Sequence, residues 1–551
     1  MLKRYFLLLT ILAAVLFFWP QLHYQTILSQ EDHGRDLYAF AQLAHGKLIY
    51  KDIWWDYGPL MPYYYALFDL LFGLKITSVL LGKFILNIIG CIFFYLASCE
   101  VMTISWAFLS ALFFMLEQQD FFHTYNHIGG IVLFLMLLWL ILKLIRQKDP
   151  KNNFWILGIC SLIGFVKINL GLSALAASFM SIVITQRPKL KTFYFVSILV
   201  VPLIWIVVYG LLLYGLTTTE INQCLHYFDN DKALLASPWQ SIMGYWNQNC
   251  INLLNDWLSL LKSSLLVAQA PIQLLNPQIF LSFSTSLLQI LIYPIIYGSI
   301  ITAFGFSLTK KFNSKRLEFW LIQSVIALFF ILNFHEFLFT NIWYRSFWSQ
   351  PFIIFFCFFM VSITASFAPQ RFRYFLGGFF ILFFILSTVN GRLLTNDSSK
   401  PEKFLTADTG QIYVGNEADW VDTFNTVADY LNKNLKKDEL FFAVPREGLF
   451  YYLTNKPSPT RQTVFFNSIH INTAQELNVI LDLKKNKVKY VLLSNRIKTK
   501  SPELGEFGKT YCPLIYHYIM ENFTPIWRYG GNWNAAPGWA SNHGVIILKR
   551  K

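Results

Sequence analysis

Charge is scarce in this chain: Asp, Glu, Lys and Arg make up 14% of 551 residues, against 55% hydrophobic and 18% aromatic. Scarcity on that scale, with a mean hydropathy of +0.44, excludes a solvated disordered protein and points to the polytopic membrane class. Cysteine is sparse as well. Of seven, Cys91, Cys99, Cys160 and Cys357 lie in apolar runs, where packing is the default role. Cys224 and Cys250 are available to pair outside a membrane, which leaves Cys512 alone and no disulfide framework. No Gly-rich phosphate cradle follows a strand and no serine nucleophile elbow occurs, so no nucleotide cofactor is expected. The chain also lacks an internal repeat, which weakens an inverted-repeat transporter.

What the chain does have is a series of apolar runs. A span needs roughly 20 apolar residues, and the candidates are about 5–22, 76–101, 104–118, 128–146, 153–167, 169–186, 193–214, 285–308, 317–338, 350–367 and 374–390. The first follows Lys3-Arg4 and has no small-residue cleavage site, so it reads as a retained anchor helix. A net charge of +14 would suggest nucleic acid in a soluble protein. Here the basic residues cluster between apolar runs, at 143–151, 187–191, 310–316 and 371–373. That alternation sets a cytoplasmic N-terminus by the positive-inside rule, and no nucleic-acid partner is expected.

Three outer segments follow from that orientation. Residues 23–75 carry an aromatic, apolar run from Pro62 to Gly73, interrupted by Asp69 and short for a span; it reads as a helix lying in the interface. Residues 215–284 alternate polar and apolar stretches. From about Arg392 hydropathy falls and charge rises. Asp419–Leu435 and Ala474–Leu483 have helical spacing, while 440–444, 488–493 and 545–548 read as strands, the pattern of a small α/β domain. The expected fold is thus a polytopic α-helical membrane domain of about eleven spans (1–391) followed by an extracytoplasmic α/β domain (392–551).

The first outer segment concentrates chemistry. Glu31, Asp32, Asp36, Asp52 and Asp56 fall within about 26 residues of one another. Carboxylates beside a bilayer are costly unless they face water, a partner or a substrate. One can take a proton from an attacking hydroxyl while a second holds an acceptor or a cation; alternatively they simply sit in water. Lys167 interrupts an apolar region and Arg345 precedes another span, both at the outer side. Either can neutralise a lipid phosphate or snorkel to headgroups. His123 and His127 with Asp120, and His335-Glu336, are further outer residues that a divalent ion could use, although their spacing matches no known zinc motif.

Asp32-x-Gly34-Arg35-Asp36-Leu37-Tyr38, then Gly46-Lys47-Leu48-Ile49-Tyr50-Lys51-Asp52, Gly58-Pro59-Leu60 and Leu71-Phe72-Gly73, resembles bacterial GT-C glycosyltransferases. Within them it looks like the protein mannosyltransferase and lipid A aminoarabinose transferase group. Lys167 after Gly164 resembles the family's lysine between short spans, and the tail around 451–460 looks like the outer domain of other members. The resemblance implies an inverting transferase that takes a sugar from a polyprenyl-phosphate donor to a lipid, glycan or protein acceptor, outside the bacterial inner membrane. Asp32 best matches its catalytic base, with Asp36 the competitor; His33 stands where many relatives have Glu. Asp56 is implied as a second carboxylate and Lys167 as the phosphate partner, helped by Arg35 or Arg345. Dependence on a divalent cation is left open by the family. A transporter or flippase of lipid-linked sugars is the alternative, but transporters gather charge near mid-membrane, whereas here it gathers at the outer ends.

Overall fold

The chain is described here from a computed structural model. It covers residues 1–22, 31–118, 125–147, 151–185, 188–225, 314–334, 348–394, 403–407, 410–414, 420–497, 504–535 and 542–551, and the isolated positions 255, 258 and 262. Arg345, His335-Glu336, His123, Asp120, Cys250, the run at 285–308 and most of the second outer segment lie outside the described residues.

Helix α1 (Leu2–Phe18) opens the chain, and α2 (Asp32–Ala44) and α3 (Leu60–Phe72) occupy the first outer segment. The helices α4 (Ile76–Val101), α5 (Ile104–Glu117), α6 (Tyr125–Gln147), α7 (Lys151–Val166), α8 (Ile168–Thr185) and α9 (Pro188–Leu213) follow. After the short α10 (Thr218–Leu225) come α11 (Ser314–Asn333), α12 (Gln350–Phe367) and α13 (Gln370–Leu394). Near-continuous Leu, Ile and Phe make the long helices α1, α4, α6 and α12 apolar on every side, so they suit burial in protein or lipid rather than water. Aromatic rings fill the seams between them: Phe94 of α4 stacks on Phe114 of α5 at 4.6 Å and meets Phe355 of α12 edge-on at 5.7 Å.

Among the described residues five helices are long and apolar enough to cross a membrane: Leu2–Leu22, Ile76–Val101, Tyr125–Gln147, Gln350–Phe367 and Gln370–Thr388. The expected eleven are not all realised as full-length spans. Helix α5 has 14 residues, or about 21 Å at the helical rise, short of a hydrocarbon core of about 30 Å. The break expected near Lys167 is present, with α7 ending at Val166 and α8 starting at Ile168. One end of the bundle is marked by charge: Lys3 pairs with Glu100 at 3.5 Å and the Arg146 guanidinium donates to the Glu100 carbonyl. The start of α1 and the ends of α4 and α6 therefore share a face.

The acidic loop lies toward the opposite end, where the C-terminal domain covers it. This domain begins with a hairpin, β1 (Phe404–Ala407) and β2 (Gly410–Tyr413), then α14 (Trp420–Asn434). Its main sheet joins β3 (Phe441–Val444), β4 (Tyr490–Ser494), β6 (Gly544–Arg550) and β5 (Phe523–Gly530) in the order β3-β4-β6-β5. Strands β3 and β4 run parallel, with Ala443 opposite Leu492; β6 runs antiparallel to both β4 and β5. The wholly apolar β3 is buried along its length, as a strand covered on both faces requires. Helices α15 (Gly448–Leu453), α16 (Thr473–Lys485) and α17 (Pro513–Asn522) complete the domain. Asn472 caps α16 by accepting from the Gln475 N–H at 2.9 Å, while the Gln475 side chain accepts from the Asn472 N–H at 3.1 Å.

Candidate active site

Helical spacing puts Asp32, Arg35 and Asp36 on one face of α2. The Arg35 guanidinium donates to Asp36 Oδ1 from Nη2 at 2.9 Å and from Nε at 3.1 Å. Its Nη1 lies 3.4 Å from Asp56 and 3.7 Å from Asp32. The rings of Trp55 and Tyr57 each lie 5.1 Å from the guanidinium carbon. Burial opposes charge on Arg35, but Asp56, Asp36 and Asp32 outweigh it and hold the residue protonated.

These acids are not equivalent. Side-chain exposure is 0% for Asp36, 4% for Asp56 and 32% for Asp32. Burial pushes Asp36 up to about 7 against the pull of Arg35. Burial also raises Asp32, with Arg35 opposing and Glu31 and Asp56 adding to the rise. Asp32 is the most exposed carboxylate of the three.

The other two acids of the loop have separate structural roles. Asp52 closes a turn, accepting from the Leu48 N–H at 2.8 Å while its own N–H donates to the Leu48 carbonyl at 2.9 Å. Tyr50 in that turn has φ 67, a left-handed conformation that few residues other than glycine adopt. Two contacts hold it: its hydroxyl donates to the Tyr57 carbonyl at 2.5 Å, and its carbonyl accepts from Arg461 Nε at 2.6 Å. Glu31, immediately before α2, pairs with Arg446 at 2.9 Å and with Arg496.

Lys167 joins this group through the following turn. The Gly58 N–H donates to the Val166 carbonyl at 2.9 Å, seating the loop on the break between α7 and α8. A Cβ on Gly58 would lie 2.0 Å from the Phe165 carbonyl oxygen, so only glycine permits that approach. The Lys167 ammonium then sits 5.8 Å from the Tyr57 ring centre. Both cations thus lie over one tyrosine.

Asp32, Asp36, Asp56, Arg35 and Lys167, distant in the sequence, are therefore neighbours. Arg35, expected to assist with phosphate, is ringed by three acids, two of which the helix turns toward it. His127 packs edge-on against Tyr57 at 5.6 Å and against Trp348 at 5.1 Å. Cys224 is a buried free thiol, 3.5 Å from Arg461. Arg446, Arg496 and Arg461 are contributions from the C-terminal domain that the sequence reading did not identify. The charged Arg446-Glu447, one proline after an apolar strand, was a signal for the first of them.

No protein-family model and no curated protein matches the sequence. In fold, the chain is similar to the Archaeoglobus fulgidus oligosaccharyltransferase solved with zinc and sulfate. The TM-score is 0.52 over 95% of this chain and 72% of that one, at 11% identity. The apo form of that enzyme gives 0.49 at 12% identity, covering 96% and 73%. Among the described residues no group of three His, Cys, Asp or Glu side chains is placed to hold a metal ion; the three clustered aspartates surround Arg35. What the two chains share is the overall fold.

Proposed function

We propose that the protein is a membrane glycosyltransferase that moves a sugar from a polyprenyl-phosphate donor to a lipid, glycan or protein acceptor outside the bacterial inner membrane. The observation that carries this reading is the convergence of Asp32, Arg35 and Lys167 around Tyr57, on a fold resembling an oligosaccharyltransferase.

Transfer needs a base at the acceptor and positive charge at the leaving phosphate. Asp32 takes the proton from the acceptor hydroxyl or amide. The freed electron pair attacks the anomeric carbon from the side opposite the phosphate and the configuration inverts. The bond from carbon to phosphate oxygen breaks, and its electrons stay on the lipid phosphate. Lys167 receives that charge as the main partner, with Arg35 beside it and Arg345 as a further candidate. Asp36 and Asp56 keep Arg35 oriented, and the exposure of Asp32 favours it over Asp36 as base. The activated donor supplies the driving force.

The test is release of free polyprenyl phosphate from lipid-linked sugars in membranes holding equal amounts of wild type or Asp32→Asn. A loss on the order of 10²–10⁴-fold is expected for a missing general base; an unchanged rate contradicts the assignment.

A further inference from the structure

Arg461 lies in the loop between α15 and α16 of the C-terminal domain, yet its guanidinium reaches two other segments. Its Nε donates to the Tyr50 carbonyl at 2.6 Å and its Nη1 to Glu220 Oε1 at 3.2 Å, while its Nη2 lies 3.5 Å from the Cys224 sulfur. The main chain adds a further tie, because the Arg461 carbonyl accepts from the Trp54 N–H at 3.1 Å. One residue thus joins the acidic loop, α10 and the C-terminal domain.

These contacts differ in what depends on them. Helix α10 has supports of its own. Glu220 Oε2 accepts from the Thr217 N–H at 2.9 Å and from the Thr217 hydroxyl at 2.8 Å, closing the first turn. The side-chain amides of Gln223 and Gln475 donate to each other at 2.9 and 2.8 Å, which docks α10 on α16. The Trp54 bond is made by backbone and does not need the arginine side chain. Tyr50 is different. Buried and left-handed at φ 67, it keeps that conformation only while its surroundings impose it, and the Arg461 guanidinium holds its carbonyl.

Tyr50 in turn holds Tyr57. The Tyr50 hydroxyl donates to the Tyr57 carbonyl at 2.5 Å. The Tyr57 ring lies 5.1 Å from the Arg35 guanidinium carbon and 5.8 Å from the Lys167 ammonium. The ring attracts both cations, which repel each other, so its position bears on their spacing.

We propose that Arg461 is a positioning residue of the transfer site: through Tyr50 it fixes Tyr57, and so the spacing of Arg35 and Lys167 about the donor's phosphate. This rests on the glycosyltransferase reading above. The donor phosphate is a diester with a single negative charge, and the lipid phosphate left after transfer is a monoester with up to two. Cations held at the right spacing therefore favour the transition state and the product over the bound donor. In this role Arg461 touches no substrate.

Steady-state transfer from polyprenyl-phosphate sugars by the full chain in lipid nanodiscs tests this, with free polyprenyl phosphate as inhibitor. Arg461→Met should lower kcat on the order of tenfold to a hundredfold, as a misplaced site does, with donor KM unchanged. Inhibition by polyprenyl phosphate should weaken with it. Tyr50→Phe should show the same split, and the double variant should lose little more than the larger single loss. An arginine that only tethers the domain gives another result: Tyr50→Phe stays at the wild-type rate, or the two losses multiply. Either overturns the proposal, and so does equal weakening of donor KM and of inhibition. Should Arg461→Met fail to fold, Arg461→Lys takes its place, since one ammonium does not reproduce a planar fork. Absence of transfer by the wild type counts against the glycosyltransferase reading, whereas wild-type kinetics in the Arg461 variant overturn the positioning role alone.

Discussion

The Ser458 backbone N–H donates to the Tyr38 hydroxyl at 2.9 Å, joining residues 420 positions apart. The bond ties the C-terminal domain to the helix that carries Asp32, and the packing around it is close. A Cβ on Gly34 would lie 2.7 Å from Leu449 Cβ and 2.9 Å from its backbone nitrogen. Gly34→Ala should therefore push α15 off α2, at a cost of about 1–3 kcal/mol by comparison with other overpacked sites. Limited proteolysis should cut the C-terminal domain faster in this variant, and transfer activity should fall with it.

Arg35 is the charge that lets three acids sit together. Arg35→Met leaves Asp36 and Asp56 buried and unpaired, a change that costs about 3–5 kcal/mol when a buried ion pair loses one partner. Arg35→Lys should fall between wild type and Met, because a point charge cannot serve three carboxylates as a planar fork does. Thermal unfolding in detergent orders the three proteins.

Asp69 gives the fold a pH dependence of definite sign. Burial raises it to about 8, whereas an unfolded Asp titrates near ~3.9. Between those values the folded chain keeps a proton that the unfolded chain has released. The contribution to stability is complete below the ordinary carboxylate range and is lost as pH rises through about 8. The slope is at most ~1.4 kcal/mol per pH unit. Asp69→Asn should flatten the dependence of unfolding temperature on pH; a variant as steep as wild type contradicts this assignment.

Arg446 and Arg496 meet at Glu31, immediately before Asp32. Removing both arginines leaves Glu31 half-buried without its partners and frees the start of α2. Hydrogen exchange in residues 31–36 should rise in Arg446→Ala/Arg496→Ala, while exchange in the α4 and α6 core stays as in wild type.

Much of this arrangement was legible from the sequence. Lys167 marked its own helix break because a charge interrupts an apolar run. The crowding of acids after the first apolar run was visible in the sequence, and the fold gathers three of them around Arg35. Helices at 419–435 and 474–483 and three strands of the C-terminal domain were readable from periodicity and length. Strand β5 was not: Pro525 breaks its pattern, and its exposure alternates irregularly at a sheet edge that bulges between Pro525 and Trp527. The role of Arg35 was hidden because neighbouring acids in a sequence say nothing of which cation they surround. Arg446 and Arg496 were out of reach for a different reason. Their partner lies more than four hundred residues earlier, and no local spacing encodes a contact at that range.

The central claim is that a base on α2 and a lysine at a helix break act on the same phosphate-linked sugar. Steady-state turnover of polyprenyl-phosphate sugars by matched amounts of wild type, Asp32→Asn and Lys167→Met tests it most directly. The account predicts that both variants bind the lipid donor yet lose turnover, with a loss in the double variant well short of the product of the single losses. Full activity in either single variant would contradict it.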